Sequence, residues 1–431
     1  MSKKIRIGVL GAYRGTSMVN YCKIADNGVV VAICDKWKEG LEKQKQQNEG
    51  LDIAYYDNFD EFIKHDMDAV VLANYANEHA PFAIKALKAG KHVFSEVLPF
   101  QTMKEAVELV EAVEESGLIY AYGENYCYIA GPYEMKKLYK EGRIGEMEYA
   151  ECEYVHNCQS IWPSIAYGDK NHWRNNMYST FYCTHSLGPI IHITGLRPVS
   201  VVGVEMAPNE RTLSMGKKAG PMGMEIVKLE NGAVIKSLHG GLYKHSVWYN
   251  MYGKKGRMET AREGTDNGDS ARVYVEWDDF PGAYGTAKKE TYLPADRAEK
   301  SKTFGHGGSD FYSMYYFIQK ILGDETADII DVYEALDMAL PGHFAYRSIL
   351  NDSVSMKIPN LRNKEERDAW RNDICCTDPK VAGDKVWPVN KNGNPDIDDS
   401  IYEHQRKLWL DDFNSDSGYT NMAFKQGSGK K

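Results

Sequence analysis

No stretch of this chain approaches the roughly 20 consecutive apolar residues that a membrane-crossing helix needs. The start also lacks a separate apolar segment with a small-residue cleavage site, because "MSKK" runs directly into "IRIGVLG". These absences set the expectation of a cytoplasmic protein with no membrane partner. Basic excess is missing too. Lys and Arg number 52 against 61 Asp and Glu, a net charge of −9, which argues against nucleic acid because phosphate binding needs a basic surface. Cys22, Cys34, Cys127, Cys152, Cys158, Cys183, Cys375 and Cys376 show no paired CxxC spacing, and Asp, Glu and His show no metal-ligand spacing. The expectation is reduced thiols, no disulfide frame and no metal. No internal repeat is visible.

What is present is enough chain, at 431 residues, for two domains. Up to about residue 124, short apolar runs alternate with helix-length amphipathic segments. "IRIGVLG", "VVVAICD", "MDAVVLAN", "KHVFSE" and "LIYAYGEN" read as buried strands, and "EHAPFAIKALKAG" and "TMKEAVELVEAVEESG" as helices closed by glycine. That alternation predicts a parallel sheet covered on both faces. From 125 to about 360 the pattern becomes α+β. "EMEYAECEYVHN" alternates like a half-exposed antiparallel strand, and "LENGAV" carries a hairpin turn. The fold class expected is therefore a Rossmann-type α/β domain (1–124) followed by an α+β domain (125–360) with an open, mostly antiparallel sheet. Residues 361–431 read as a polar extension packing on the body or on a neighbouring subunit. An open sheet leaves a face to cover, so a homo-oligomer is expected.

"IGVLGAYRG" sets Gly8, Gly11 and Gly15 between a strand and a helix, where backbone N–H groups can approach a pyrophosphate. Tyr13 occupies a place where a middle glycine is usual. Asp35 ends the second strand 20 residues after Gly15, positioned to accept from ribose hydroxyls and to repel a 2′-phosphate. NAD is the cofactor expected, with Gly11, Tyr13, Arg14, Gly15 and Asp35 around it; a solvated strand-end carboxylate is the alternative for Asp35.

"STFYCTHSLGPI" places Tyr182 and His185 three positions apart. On a helix they would share a face, and a phenol beside an imidazole can exchange protons near neutral pH; a packed Tyr with a satisfied core His is the alternative. Gly188–Pro189 disfavours continuous helix, and Thr184 suits a helix cap or a substrate contact. Trp173 and Arg174 suit sugar stacking and hydroxyl or carboxylate recognition, or surface anchoring. His156 and His306 fall where a strand end and a glycine-rich loop can meet a ligand, and Asp310 suits a helix cap.

Together these segments resemble the Gfo/Idh/MocA family of sugar and cyclitol dehydrogenases. "LANYANEHAPFAIKALKAGKHVFSE" and "GENYCY" carry the likeness. It implies that Asn74, His79, Glu96 and Asn125 surround the cofactor and that Tyr128 faces the substrate. The usual Glu-Lys-Pro reads "SEVLPF" here, so Val97 replaces the proton-handling lysine, and Phe181 replaces an Asp four residues before His185. A narrower set, "HWRNN", "YCTHSLGP", "GHGGSDF" and "DVYEAL…PG", is similar to glycoside hydrolase family 109, whose members are NAD-dependent glycosidases. That resemblance implies a tightly bound, recycled NAD, with Trp173 and Arg174 beside it. It makes His185 and Tyr182 catalytic, and Tyr128, His156, Thr184 and His306 contacts to a glycoside. The expected reaction oxidises the sugar C3 hydroxyl, removes the C2 hydrogen, expels the aglycone, adds water and re-reduces C3. The alternatives are a dehydrogenase that stops at the 3-keto glycoside, C-glycosides included, and an inactive sugar/NAD sensor.

Overall fold

The computed structural model describes residues 4–263, 272–280, 287–295, 299–415 and 417–420. The first six strands are β1 (Ile5–Leu10), β2 (Gly28–Cys34), β3 (Ala54–Tyr56), β4 (Ala69–Leu72), β5 (His92–Ser95) and β6 (Tyr120–Tyr122). All pair in parallel, in the order β3-β2-β1-β4-β5-β6. Val9, Val70, Val71 and Val93 are wholly buried, because helices cover both faces of such a sheet. The helix Met103–Ser116 shows how local chemistry sets the boundaries. Thr102 and Glu105 form a capping box, and Gly117 closes the helix at φ +61°. Strand order turns back between β1 and β4, and the crevice beyond their carboxyl ends is where such sheets bind ligands. The helix Lys38–Gln47 and strand β3 have no counterpart in the sequence reading. The helix is mostly Lys, Gln and Glu, and β3 is a half-buried edge, so neither shows an apolar period.

The larger sheet contains β7 (Met147–Val155), β8 (Pro198–Glu205), β9 (Met222–Leu229), β10 (Val234–Gly240), β11 (Ser246–Gly253), β12 (Gly256–Thr260), β13 (Val273–Trp277), β14 (Lys288–Tyr292) and β15 (Met356–Lys357). Its order is β14-β13-β12-β11-β7-β10-β9-β8-β15. Most pairs are antiparallel, and the Glu-Asn-Gly turn joins β9 to β10 as expected. The expectation for β7 needs correction: it is antiparallel to β11 but parallel to β10, so the sheet is mixed. The helices Thr184–Thr194 and Val332–Leu350 pack on one face. The other face leaves Val204, Ile226 and Tyr252 exposed.

The helix Thr184–Thr194 runs straight through Gly188–Pro189, contrary to expectation. Pro189 lacks the N–H that would bond to the carbonyl of His185. The hydroxyl of Tyr249 donates to that carbonyl instead, at 2.6 Å, so the helix continues without an unpaired acceptor.

The extension after 360 is more ordered than its composition suggests, with a 15-residue helix Asp399–Phe413. Tyr402 donates to the Gly216 carbonyl at 3.1 Å, and Phe413 packs on Trp37 at 5.6 Å between centroids. The segment thus bridges both halves of the body. At Gly168 (φ +61°) a Cβ would come 2.3 Å from the backbone nitrogen of Arg406, an approach only glycine permits. Residues 421–431 of the expected extension lie outside the described residues.

Candidate active site

β1 delivers the chain to Gly11, which takes φ +109°, and a Cβ there would come 2.4 Å from the Ala73 carbonyl oxygen. A side chain is excluded, so the turn stays flat against β4. Gly15 does not line the crevice; a Cβ on it would come 2.2 Å from the Gly11 carbonyl oxygen, and it serves the close packing of the turn. Asp35 accepts from the N–H of Ala12 at 2.7 Å and of Trp37 at 2.8 Å, and its burial raises its pKa against those bonds. Asn74 lines the crevice with both amide atoms lacking a partner. An orphaned amide, a turn without side chain and a fixed carboxylate suit the phosphates and ribose of a dinucleotide, and these residues fit NAD.

This crevice is one end of a cavity of about 910 Å³. Tyr13, Arg14, Glu96 and Asn125 lie along it, and Tyr154, His156, Trp173, Arg174, Tyr182, His185 and His306 line its other end. Tyr402, Arg406, Trp409 and Tyr419 of the C-terminal segment complete the wall.

His185, in the first turn of its helix, is the most constrained group in the cavity. Its Nδ1–H donates to Oε1 of Glu124 at 2.7 Å, and Glu124 is fully buried. Nε2 has no partner among the described residues and is the nitrogen left for a ligand. The rings of Tyr126, Tyr154 and Tyr182 surround the imidazole at 4.5, 4.7 and 5.0 Å between centroids. Gly188 explains how Glu124 gets so close: a Cβ there would sit 2.9 Å from the Glu124 Cγ. Tyr182 precedes the helix in a turn, so its proximity to His185 does not come from a shared helical face. Its ring stacks on Trp173, and the Arg174 guanidinium lies 4.4 Å from Trp173 and 5.6 Å from Tyr182. Burial raises the Tyr182 pKa, and Arg174 opposes that.

A second carboxylate-held imidazole faces the same cavity. His306 sits at φ +54° between Gly305 and Gly307, a conformation costly for a side-chain-bearing residue. Its Nδ1 lies 3.2 Å from Oδ1 of Asp310. Asp310 is not the helix cap the sequence suggested. It takes two bonds from Arg14, at 2.7 and 2.9 Å, and one from Asn125 at 3.0 Å. Arg14 also donates to Glu96 at 2.7 Å. Burial alone would raise Asp310, but Arg14 and then His306 outweigh it and hold its carboxyl well below the usual range. Burial raises Glu96, which has the smaller share of the same guanidinium. The network ties the dinucleotide turn to the His306 loop.

Besides Gly15, three expected site residues fall outside the cavity lining. Tyr128 is buried and donates to the Asp328 carbonyl at 2.8 Å, a packing position behind the site. Thr184 is the first helical residue, with the cap position held by Cys183, and accepts from the Tyr122 hydroxyl at 3.3 Å. His79 is buried with Nδ1 bonded to the Leu98 carbonyl at 2.9 Å, and burial pushes its pKa down to about 4. Among the described residues no group of His, Cys, Asp and Glu could hold a metal.

Residues 5–124 match the family described as "Oxidoreductase family, NAD-binding Rossmann fold", Gfo/Idh/MocA. The chain is a Gfo/Idh/MocA-type oxidoreductase. It is 26% identical over 397 residues to a glycosyl hydrolase family 109 protein of Solibacter usitatus, covering 83% of this chain and 88% of that one. An α-N-acetylgalactosaminidase of Shewanella oneidensis is 23% identical over 402 residues, covering 85% and 86%. In fold it is similar to scyllo-inositol dehydrogenase of Lactobacillus casei, solved with NAD(H) and scyllo-inositol. That match has a TM-score of 0.64 at 17% identity and covers 84% of this chain and all of that one. As a Gfo/Idh/MocA-type oxidoreductase the protein has NAD as its cofactor. Val97 lines the cavity where the lysine was missed, and the cation beside Glu96 comes from Arg14 instead. Phe181, in place of the Asp, packs on Trp173 and Tyr178. Glu124 was not singled out from sequence; Gly188, a small residue inside a buried helix, was the available signal.

Proposed function

We propose that this oxidoreductase acts on glycosides, oxidising the C3 hydroxyl to a ketone and using that ketone to release the aglycone. The C2 hydrogen, acidified by the ketone, leaves as a proton; the aglycone departs by elimination; water adds at C1; and C3 is reduced again. NAD, when bound, supplies the hydride acceptor and donor. The observation that carries this reading is the His185–Glu124 pair at one end of the cavity whose other end is the dinucleotide crevice. His185 Nε2 takes the hydroxyl proton, while Glu124 fixes the tautomer and stabilises the imidazolium, the role a buried carboxylate plays for a catalytic histidine elsewhere. Tyr182 is its partner, donating to oxygen as negative charge develops there. His306, oriented by Asp310 across Tyr126 from His185, gives a proton to the departing aglycone oxygen. His156, hydrogen-bonded to Tyr154 at 2.9 Å, is placed to meet the sugar.

The similarity to family 109 glycosidases supports net hydrolysis. The C-terminal segment over the cavity supports an NAD that stays bound through turnover. We also infer a homo-oligomer through the face carrying Val204, Ile226 and Tyr252, which light scattering tests. The test of the reaction is turnover of a glycoside panel in D2O. Deuterium at C2 of the released sugar is the expected result. A 3-keto glycoside without release would mark a dehydrogenase, and binding with no change at C3 a sensor.

A further inference from the structure

We propose that the outer end of the sugar-side cavity is an anion-recognition subsite and that the substrate is an acidic glycoside, bearing a carboxylate or a sulfate ester. The inference rests on the sugar-acting reading above and names its substrate class.

Tyr154, His156 and Cys158 of the segment 154–168 line this end of the cavity, and residues 211–224 and 239–246 pack against that segment from behind. The His156 N–H donates to the Gly240 carbonyl at 2.8 Å, and the Asn157 N–H to His245 Nδ1 at 3.3 Å. Arg211 donates to the Asn157 side-chain oxygen at 3.3 Å and to the Gly241 carbonyl. The Lys218 N–H donates to the Asn175 carbonyl at 3.1 Å, which sets Lys217 beside the short helix carrying Arg174. In a chain of net charge −9, none of these three segments contains an Asp or Glu, while Arg211, Lys217, Lys218 and Lys244 fall within them.

Lys217 is only 8% exposed, and its ammonium meets the face of Trp162 at 5.9 Å but no carboxylate. Arg174 and Arg211 likewise have no carboxylate within ion-pair distance among the described residues. Of the other cations on the cavity, Arg14 is matched by Glu96 and Asp310, Lys36 by Glu78 and Lys170 by Asp399, while Arg406 lies against the Trp409 ring. A buried, unpaired ammonium is costly and is tolerated where a ligand completes it. The neighbours report the same positive field. Burial, then Arg211 and Arg174 against Cys158, bring Lys217 down to about 8. Burial, then His245, His185, His306 and Arg174, push His156 down to about 4. Guanidinium forks with an ammonium behind them match the oxygens of a carboxylate or sulfate.

The test is calorimetric titration of the NAD-loaded full chain with glucuronate, galacturonate and glucose 6-sulfate, against glucose and galactose. At least one acidic sugar is expected to bind about ten-fold or more tighter than its neutral parent, with an advantage that shrinks as salt rises. The uronates and the sulfate ester separate the two anion types. Lys217→Met and Arg211→Gln should remove the advantage while leaving NAD content and neutral-sugar affinity unchanged. Equal binding of acidic and neutral sugars, no binding of any acidic sugar, or an advantage surviving both substitutions overturns the proposal. Appearance of reduced nicotinamide absorbance on adding neutral or acidic methyl glycosides scores the oxidation reading separately. Charge preference without reduction, or reduction without charge preference, therefore shows which of the two has failed.

Discussion

Glu124→Gln removes one negative charge beside His185 and leaves the shape of the site nearly unchanged. Oε1 of Glu124 accepts from His185 Nδ1–H at 2.7 Å and from the Tyr126 N–H at 3.2 Å, with no solvent to replace either bond. A hydrogen bond to a charged group is worth about 1.5–3 kcal/mol. Losing that support for a developing imidazolium slows C3 oxidation about 10- to 150-fold. If the new amide turns its NH2 toward the ring, it forces the tautomer in which Nε2 carries the proton and cannot act as base, which deepens the loss. Single-turnover formation of reduced nicotinamide on mixing with a glycoside reads this directly, across pH. NAD affinity and unfolding midpoint serve as controls, since neither depends on the ring's basicity. An unchanged rate with an unchanged pH profile would refute the assignment of His185 as the base.

Gly188→Ala places a methyl 2.9 Å from the Glu124 Cγ. It should reproduce much of the Glu124→Gln loss in rate while the helix, as judged by circular dichroism, stays intact. Asp35→Ser removes the carboxylate that repels a 2′-phosphate, and the ratio of NADP to NAD affinity should rise by an order of magnitude in equilibrium titration. Gly168→Val, at φ +61° against the Arg406 backbone, should pry up the C-terminal helix. Displacement of bound NAD by excess analogue should then be faster by about ten-fold or more, as it should be in a chain ended before Asp399. His79 is neutral inside with a pKa of about 4, against 6.5 when exposed. Its contribution is complete above pH 6.5. It is lost as pH falls toward 4, because only the unfolded chain takes up the proton, a cost of about 3 kcal/mol. Urea midpoints should therefore drop across that range, and less steeply in His79→Asn.

Much of this architecture is readable from residues alone where physics is local. The apolar runs of β1, β2, β4 and β5 announce a parallel sheet, and Asp35 after β2 is legible as a carboxylate at the mouth of the crevice. Polar elements hide: the helix Lys38–Gln47 and the helix Asp399–Phe413 lack a strong apolar stripe, and their stability comes from partners distant in sequence. At the site, Tyr182 and His185 are visible as a spaced pair, but the turn that joins them is not. Glu124 reads as a solvated strand end until helix Thr184–Thr194 packs over it, 61 residues later. Tyr128 and Thr184 are drawn toward the site by their neighbours in sequence, yet each turns its oxygen to a structural partner. Burial of a polar group is a property of the fold around it, and one position in a motif carries little of that information.

The interrupted hydrogen bond at Pro189 has a mechanical consequence. With its ring clamped by Glu124 and its carbonyl pinned by Tyr249, His185 is a fixed post and cannot swing between two acceptors. In an enzyme working as proposed, it is therefore the sugar that must pivot between successive proton transfers. Loops that grip the distant end of the substrate would then govern the tempo of the cycle.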